Sequence, residues 1–153
     1  MSVVAILEPD VIDPQLELAE LTEAARGDGA IVTFVGLARP ESKGGNAVDA
    51  LVLDHHPTLT RQSLEEIAVS CGERFDVSHV RAVHRCGTVP AGEPIVFAGV
   101  SSLHRRTAFE AVDYLMDRLK TDALFWKRED GVDGSHWIEP TEGDRADRAR
   151  WER

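Results

Sequence analysis

Apolar residues along this chain recur with two different periods, and the alternation between those periods outlines the fold. Asp13-Pro14 reads as a helix start, an N-cap followed by proline at the first helical position. Leu16, Ala19, Leu21, Ala24 and Ala25 then form a helical stripe that Gly27-Asp28-Gly29 ends. Ala30–Leu37 (AIVTFVGL) is an almost unbroken apolar and β-branched run, the mark of a buried strand. Gly36 near its end lets the backbone turn or come close to a neighbour. Ala38–Asn46 is a polar loop holding Arg39, Lys43 and Gly44-Gly45. Alternation resumes at Val48–His55, so a hairpin through the glycine loop is expected.

Thr60–Arg74 carries a second helical stripe in Leu64, Ile67, Ala68 and Cys71, continued by Phe75. Val77–Arg85 reads as a strand, Thr88–Pro94 as a turn rich in Pro and Gly, and Ile95–Ser101 (IVFAGVS) as another apolar strand. Leu103–Lys120 is the long helix, striped by Ala108, Ala111, Val112, Leu115 and Leu119. Leu124–Arg128 and Ser135–Ile138 close the pattern as short strands around a turn at Gly131–Gly134. One helix followed by β-β-α-β-β-α-β-β predicts an α+β fold with a mainly antiparallel sheet and flanking helices. Residues 1–140 read as one domain. The stretch 141–153, almost wholly polar apart from Trp151, reads as a loose tail.

Charge changes this picture in one respect. A net charge of −10 argues against a general nucleic-acid or anionic-membrane binder, because both rely on basic surface. Between His104 and Arg128, however, six basic residues face four acidic ones, so that segment is +2 and the remainder −12. A small basic site in an acidic body suits a small anionic ligand better than a polymer. No run approaches the roughly 20 apolar residues of a membrane span. The start, MSVVAILEPDVIDP, lacks the basic region of a signal peptide. Two cysteines indicate no disulfide framework, and a cytoplasmic protein with reduced thiols is expected.

The stretch Leu119–Glu129, LKTDALFWKRE, stands out chemically. Fourteen of the seventeen basic residues are arginines, yet two of the three lysines, Lys120 and Lys127, lie here beside Phe125 and Trp126. Arginine stays charged at any working pH, whereas a lysine amine can be brought toward neutrality by burial or a neighbouring cation. The plainer reading of Lys120 is a cation favoured at a helix C-terminus. Ser101-Ser102-Leu103-His104-Arg105-Arg106 runs from a strand into a helix, where unpaired N–H groups and the dipole favour an anion. The adjacent His55 and His56 point to opposite faces of a strand and have no partner at ligand spacing, so no metal site is expected. Cys71 falls on an apolar helix face. Cys86, beside Arg85, lacks an identifiable base to make it a nucleophile.

Four segments in order resemble the large, catalytic subunits of molybdopterin synthase, the MoaE family. They are GAIVTFVGLAR (Gly29–Arg39), HRCGTVPAGE (His84–Glu93), SSLHRRTAF (Ser101–Phe109) and LKTDALFWKRE (Leu119–Glu129). The resemblance runs from Gly29 to Trp137, and it implies a hammerhead-type α+β fold. It also implies a sulfurtransferase of molybdenum cofactor biosynthesis that converts cyclic pyranopterin monophosphate into dithiolene-bearing molybdopterin. Sulfur would arrive as a thiocarboxylate on the C-terminal glycine of a ubiquitin-like small carrier subunit, so no cofactor is implied. The implied partners are that carrier and a second copy of this chain, a homodimer with one carrier at each end forming a heterotetramer. The terminal RWER lacks a carrier's Gly-Gly, so the carrier is expected to be a separate protein.

The resemblance assigns Lys120 and Lys127 as the active-site lysines, His104 and Arg105 as substrate-binding, and Arg39 as the arginine after the first strand. Phe34 matches the aromatic before it, and Met116 the methionine one turn before Lys120. Leu37, Ala38, Arg128 and Glu129 complete the implied substrate-binding set. Arg39, His104 and Arg105 would hold phosphate and pterin by charge-assisted hydrogen bonds. Lys120 would act in proton transfer or a transient covalent role. Lys127 beside it would lower both amine pKa values and stabilise the developing oxyanion. The chain departs from the family at Leu124, where Pro is usual, and at His56, where Tyr is common. The rival reading is a non-catalytic pterin- or phosphate-binding module, for which arginine would serve better than the two lysines.

Overall fold

The computed structural model describes residues 1–152. The first half comprises Ser2–Glu8 (β1), Pro14–Ala24 (α1), Ala30–Leu37 (β2), Ala50–His55 (β3) and Leu59–Arg74 (α2). His79–Arg85 (β4), Gly87–Pro90 (β5), Pro94–Ser102 (β6) and Arg105–Asp122 (α3) follow. Phe125–Gly131 (β7), Gly134–Ile138 (β8), Glu142–Ala149 (α4) and a 3-10 turn at Arg150–Glu152 end the chain. The α+β expectation holds, but the strands divide between two four-stranded sheets, ordered β1-β4-β6-β2 and β5-β3-β7-β8. All pairings are antiparallel except β1 with β4.

In the first sheet the apolar run of β6 is central, pairing with β4 on one side and β2 on the other. Phe97 of β6 faces Val83 and Val35 in register and is only 1% exposed. Burying such a side chain contributes roughly 2–3 kcal/mol. Helices α2 and α3 pack Leu64, Ile67, Cys71, Ala111 and Leu115 into the main core with Val80, Ala98 and Val100 of this sheet. Helix α1, capped by Asp13 Oδ1 accepting from the N–H groups of Gln15 and Leu16, lies against β6, β4 and β2. The second sheet has a smaller core of Ala38, Leu53 and Val89, with Phe125 against it.

Three expectations are corrected. The hairpin between Ala30–Leu37 and Val48–His55 does not form, because β2 pairs with β6 and β3 with β5 and β7. The Arg39 loop instead carries the chain from one sheet to the other. At Gly36/Leu37 the ladder slips, and a side chain at Gly36 would meet Val96 Cγ1 at 2.8 Å, so this glycine serves close approach. Secondly, the apolar run Val3–Leu7 is a strand, β1, parallel to β4; its β-branched residues before Pro9 carried that signal.

Thirdly, the segment after Pro140 is a helix rather than a loose end. It opens on a capping box, with Thr141 Oγ1 accepting from the Asp144 N–H at 3.0 Å and Asp144 Oδ2 accepting from the Thr141 N–H at 2.8 Å. Arg148 pairs with Asp122, and Arg150 with Asp113 and Asp117, tying the tail to α3. Trp151 then sets its ring edge-to-face against Tyr114 and Phe75, and its Nε1 donates to Asp117 at 2.7 Å. Polar helices lack an apolar stripe, so ion pairs and one terminal aromatic do the work that periodicity could not reveal.

The junction before β7 is also specific. Leu124 is gripped from α2: Thr60 Oγ1 donates to its carbonyl at 2.7 Å, and its N–H donates to Ser63 Oγ at 3.0 Å. A proline at this position would have no N–H to give, so leucine here makes a hydrogen bond that proline could not.

Trp151→Ala is expected to lower the unfolding free energy by about 2 kcal/mol, from lost aromatic burial and the lost Nε1 hydrogen bond to Asp117. Urea unfolding reads this directly; an unchanged midpoint would mean that the tail contributes nothing to the fold.

Candidate active site

The last turn of α3, the start of β7, the loop after β2 and the segment following β8 enclose a pocket of about 210 Å³. Its walls include Leu37, Arg39, Lys43, Lys120, Lys127, Glu129 and Asp144. All three lysines of the chain therefore converge on one cavity. Strand alternation explains part of this: Lys127 and Glu129 share a face of β7, and Arg128 between them points the other way. Lys127 lies opposite the fully buried Leu53 in the β3–β7 ladder, so its stem runs beside apolar surface. Lys120 arrives from the C-terminal turn of α3 and remains exposed.

Burial pushes the Lys127 amine down to about 8 from the ordinary 10.5, the Lys120 charge pushes in the same direction, and Asp144 opposes both. Proximity of like charges in a poorly solvated site is the arrangement that brings an amine into the range of acid–base chemistry. His84, at the end of β4, stacks on Phe125 with ring centroids 4.3 Å apart, two residues before Lys127. Burial drives its pKa to about 4, and the charge of Lys127 adds to that, so His84 stays neutral behind Phe125.

The expected residues separate into two groups. Leu37, Arg39, Lys120, Lys127 and Glu129 come together in the pocket. Ala38 is buried at its edge, its N–H bonded to the Glu93 carbonyl and its carbonyl accepting from Gly92, which pins the start of the Arg39 loop. The others lie elsewhere. Phe34 is exposed on β2, Met116 packs against the main core, and Arg128 pairs with Asp130 under the Trp137 ring. His104 and Arg105 are exposed at the opposite end of α3 from Lys120, about 24 Å away at 1.5 Å per residue. The two residues expected to hold an anion at the α3 start therefore do not reach the lysine pocket of their own chain.

Lys43, Asp144 and Glu139 line the cavity without having been singled out. The rarity of lysine was a usable signal for Lys43; nothing in the polar tail pointed to Asp144. Both thiols are poor nucleophiles, with burial pushing Cys71 up to about 12 and Cys86 above its ordinary value. His56 serves the fold, since its Nδ1 accepts from the N–H groups of Thr58 and Leu59 at the start of α2. Among the described residues, no three His, Cys, Asp or Glu side chains cluster as a metal site would require.

With this geometry in place, the comparisons with known proteins are specific. A family model described as MoaE protein matches residues 7–122. The molybdopterin synthase catalytic subunit of Caulobacter vibrioides is 42% identical over 149 residues, covering 97% of each chain. The structure of the molybdopterin biosynthesis MoaE protein from Burkholderia ambifaria superposes with a TM-score of 0.81 at 35% identity, covering 100% of this chain and 99% of the other. A chain from the complex of subunits 1 and 2 of molybdopterin-converting factor from Helicobacter pylori shares the fold, with a TM-score of 0.69 at 21% identity, covering 92% and 90%.

The depressed amine makes a stability prediction whose sign follows from proton counting. Between pH 8 and 10.5 the folded Lys127 binds fewer protons than the unfolded one, so its burial penalty is full below pH 8 and relieved as pH rises to 10.5. Lys127→Met is expected to stabilise the protein at pH 7 by on the order of 1–2 kcal/mol, the gain shrinking toward pH 10. Denaturant unfolding of both proteins at the two pH values tests it; a pH-independent difference contradicts a depressed amine.

Proposed function

The chain belongs to the MoaE protein family, and we propose that it works as the catalytic subunit of a molybdopterin synthase. It is a sulfurtransferase of molybdenum cofactor biosynthesis. On this reading its substrate is cyclic pyranopterin monophosphate and its product bears a dithiolene. Sulfur is brought as a thiocarboxylate on the C-terminal glycine of a ubiquitin-like small subunit, and no resident cofactor is required. The relatives are themselves named as subunits, and a protein of the same fold is described in complex with a second subunit, which supports the carrier as partner. The cytoplasm, where Cys71 and Cys86 stay free buried thiols, is the location that fits.

The observation that carries the reading is the convergence of three lysines and Arg39 on one pocket. Both the substrate phosphate and the carrier thiocarboxylate are anions. Arg39 and Lys43, on the loop side of the cavity, suit the phosphate. Lys127, with a pKa near 8, exists in both protonation states close to neutral pH, as a general acid–base group must. Lys120 stands beside it at the exposed end of α3, accessible to the carrier tail for proton transfer or transient covalent attachment. An ammonium in this poorly solvated cavity also stabilises the oxyanion that forms when the carrier's acyl carbon is attacked. A purely binding module gains nothing from burying an amine, and arginine would serve it better.

A second copy of the chain accounts for His104 and Arg105. Strand β2 is a sheet edge with Phe34 and Val35 exposed, and Leu103 and Phe109, which flank His104 and Arg105, are exposed as well. In a homodimer formed on this face, His104 and Arg105 of one copy complete the pocket of the other and add cations to the phosphate site.

Lys120→Ala is expected to abolish formation of dithiolene product, read by mass spectrometry with thiocarboxylated carrier, while the circular dichroism spectrum and carrier binding persist. Full product formation would sink the assignment. Mixing inactive Lys120→Ala and Arg105→Ala proteins, with subunit exchange, is expected to recover about a quarter of wild-type activity, because half the dimers are hybrids with one intact site. No recovery would mean that each chain uses its own Arg105.

A further inference from the structure

None of the three lysines forms a direct ion pair among the described residues, whereas arginine takes part in every ion pair found there. The amines in the pocket are balanced through space instead. Four acids line the cavity: Glu41 on the loop after β2, Glu129 on β7, Glu139 after β8, and Asp144. Of these, Asp144 has its carboxylate fixed by the helix it starts. Its Oδ2 accepts the Thr141 N–H at 2.8 Å, and its own N–H is held by Thr141 Oγ1 at 3.0 Å. The helix behind it is tied to α3 by Arg148, Arg150 and Trp151, so the tail delivers one immobile negative charge to the lysine pocket.

We propose that Asp144 is a positioning residue for the sulfur-transfer site, a built-in counter-charge that lets Lys120 and Lys127 occupy one cavity and helps Lys127 keep its proton. The idea rests on the functional reading given above and deepens it. At Lys127 the Asp144 charge opposes burial and the charge of Lys120. Although burial acts the other way on Asp144 itself, the Thr141 hydrogen bonds and the charges of Lys120 and Lys43 hold its carboxyl below the usual range. It is therefore ionised throughout the working range. His84, which also feels the Lys127 charge, is neutral there and cannot take this role. Arg39 adds a fixed positive charge from the loop, which increases the need for the counter-charge.

The consequence is a coupling between the tail and the chemistry. Without the Asp144 charge, the two amines and Arg39 repel more strongly across the pocket, and Lys127 releases its proton more easily. The role is distinct from capping, since asparagine can still accept the Thr141 N–H but carries no charge.

Asp144→Asn, Asp144→Glu and Thr141→Val test this in the full-length protein. Acetic anhydride labelling across pH, followed by mass spectrometry, gives the apparent pKa of Lys127 with neither carrier nor substrate present. Asp144→Asn is expected to lower that value by about half a unit to one unit, from the loss of one charge at several ångströms. Asp144→Glu is expected to restore it, and Thr141→Val, which loosens the cap but keeps the charge and the Thr141 N–H, to lower it by less than Asp144→Asn does. The pH profile of sulfur transfer with thiocarboxylated carrier is expected to move with the labelling value. An unshifted Lys127 in Asp144→Asn, or an equal shift in Thr141→Val, overturns the counter-charge role and leaves a helix cap. Absence of sulfur transfer in the wild type, with the labelling shift intact, overturns the functional reading instead.

Discussion

Everything in this site hangs on how the chain leaves α3 and enters β7. Only Ala123 and Leu124 separate the two elements, and α2 holds both backbone groups of Leu124 through the hydroxyls of Thr60 and Ser63. Thr60 is fully buried and also receives the His56 N–H, so the clamp reaches back to the end of β3. Each such hydrogen bond contributes only about 1 kcal/mol to stability. Its larger effect is geometric. On one side lies the last helical turn with Lys120, and on the other Phe125, stacked on His84, and then Lys127. With the junction fixed, two amines seven residues apart meet from different layers of the fold, one from the helix over the first sheet and one from the second sheet.

Arginine and lysine divide the electrostatic work. Arginines hold structure: Arg81 pairs with Glu17 to bind α1 to β4, Arg118 with Asp122 along α3, and Arg148 and Arg150 with acids of α3. These pairs are planar, always charged and individually weak at a surface. Lysines are kept out of such pairs and gathered where a proton can be exchanged. In a chain of net charge −10, a cavity where Arg39 and three lysines match four acids is a local relief of the negative charge. Such a site suits a small anion without making the protein a general polyanion binder.

The legible and illegible parts of the molecule differ for physical reasons. Helices α1, α2 and α3 and the apolar strands β2 and β6 were readable because each buries one stripe or a whole strand, and burial leaves a period in the sequence. The lysine pair was readable from rarity in an arginine-rich chain. The false hairpin arose because adjacent strands joined by a glycine loop usually pair, and nothing local says that β2 and β3 belong to different sheets. Helix α4 was invisible since its stability comes from Thr141, from ion pairs and from Trp151, none of which makes a pattern. Asp144 was lost with it. His104 and Arg105 were placed in the site by family resemblance, but a single chain cannot bring them there; geometry within α3 decides that, and sequence spacing between motifs does not.

The pocket therefore depends on the segment whose order was hardest to foresee. Burying Lys127 next to Lys120 is unfavourable for the folded chain, and a well-packed apolar replacement would relieve it. The small core of Ala38, Leu53 and Val89, with Phe125 against it, has little surplus with which to offset that cost. Compensation comes from outside this core, through the main helix layer that anchors Trp151 and so keeps the Asp144 carboxylate in the cavity. A free carboxylate on a fraying tail would spend most of its time in water, where its attraction to an amine falls to roughly a quarter of its value at a protein surface. Order in the tail is thus part of the electrostatics of the site, and the tail and the lysine pair form one functional unit.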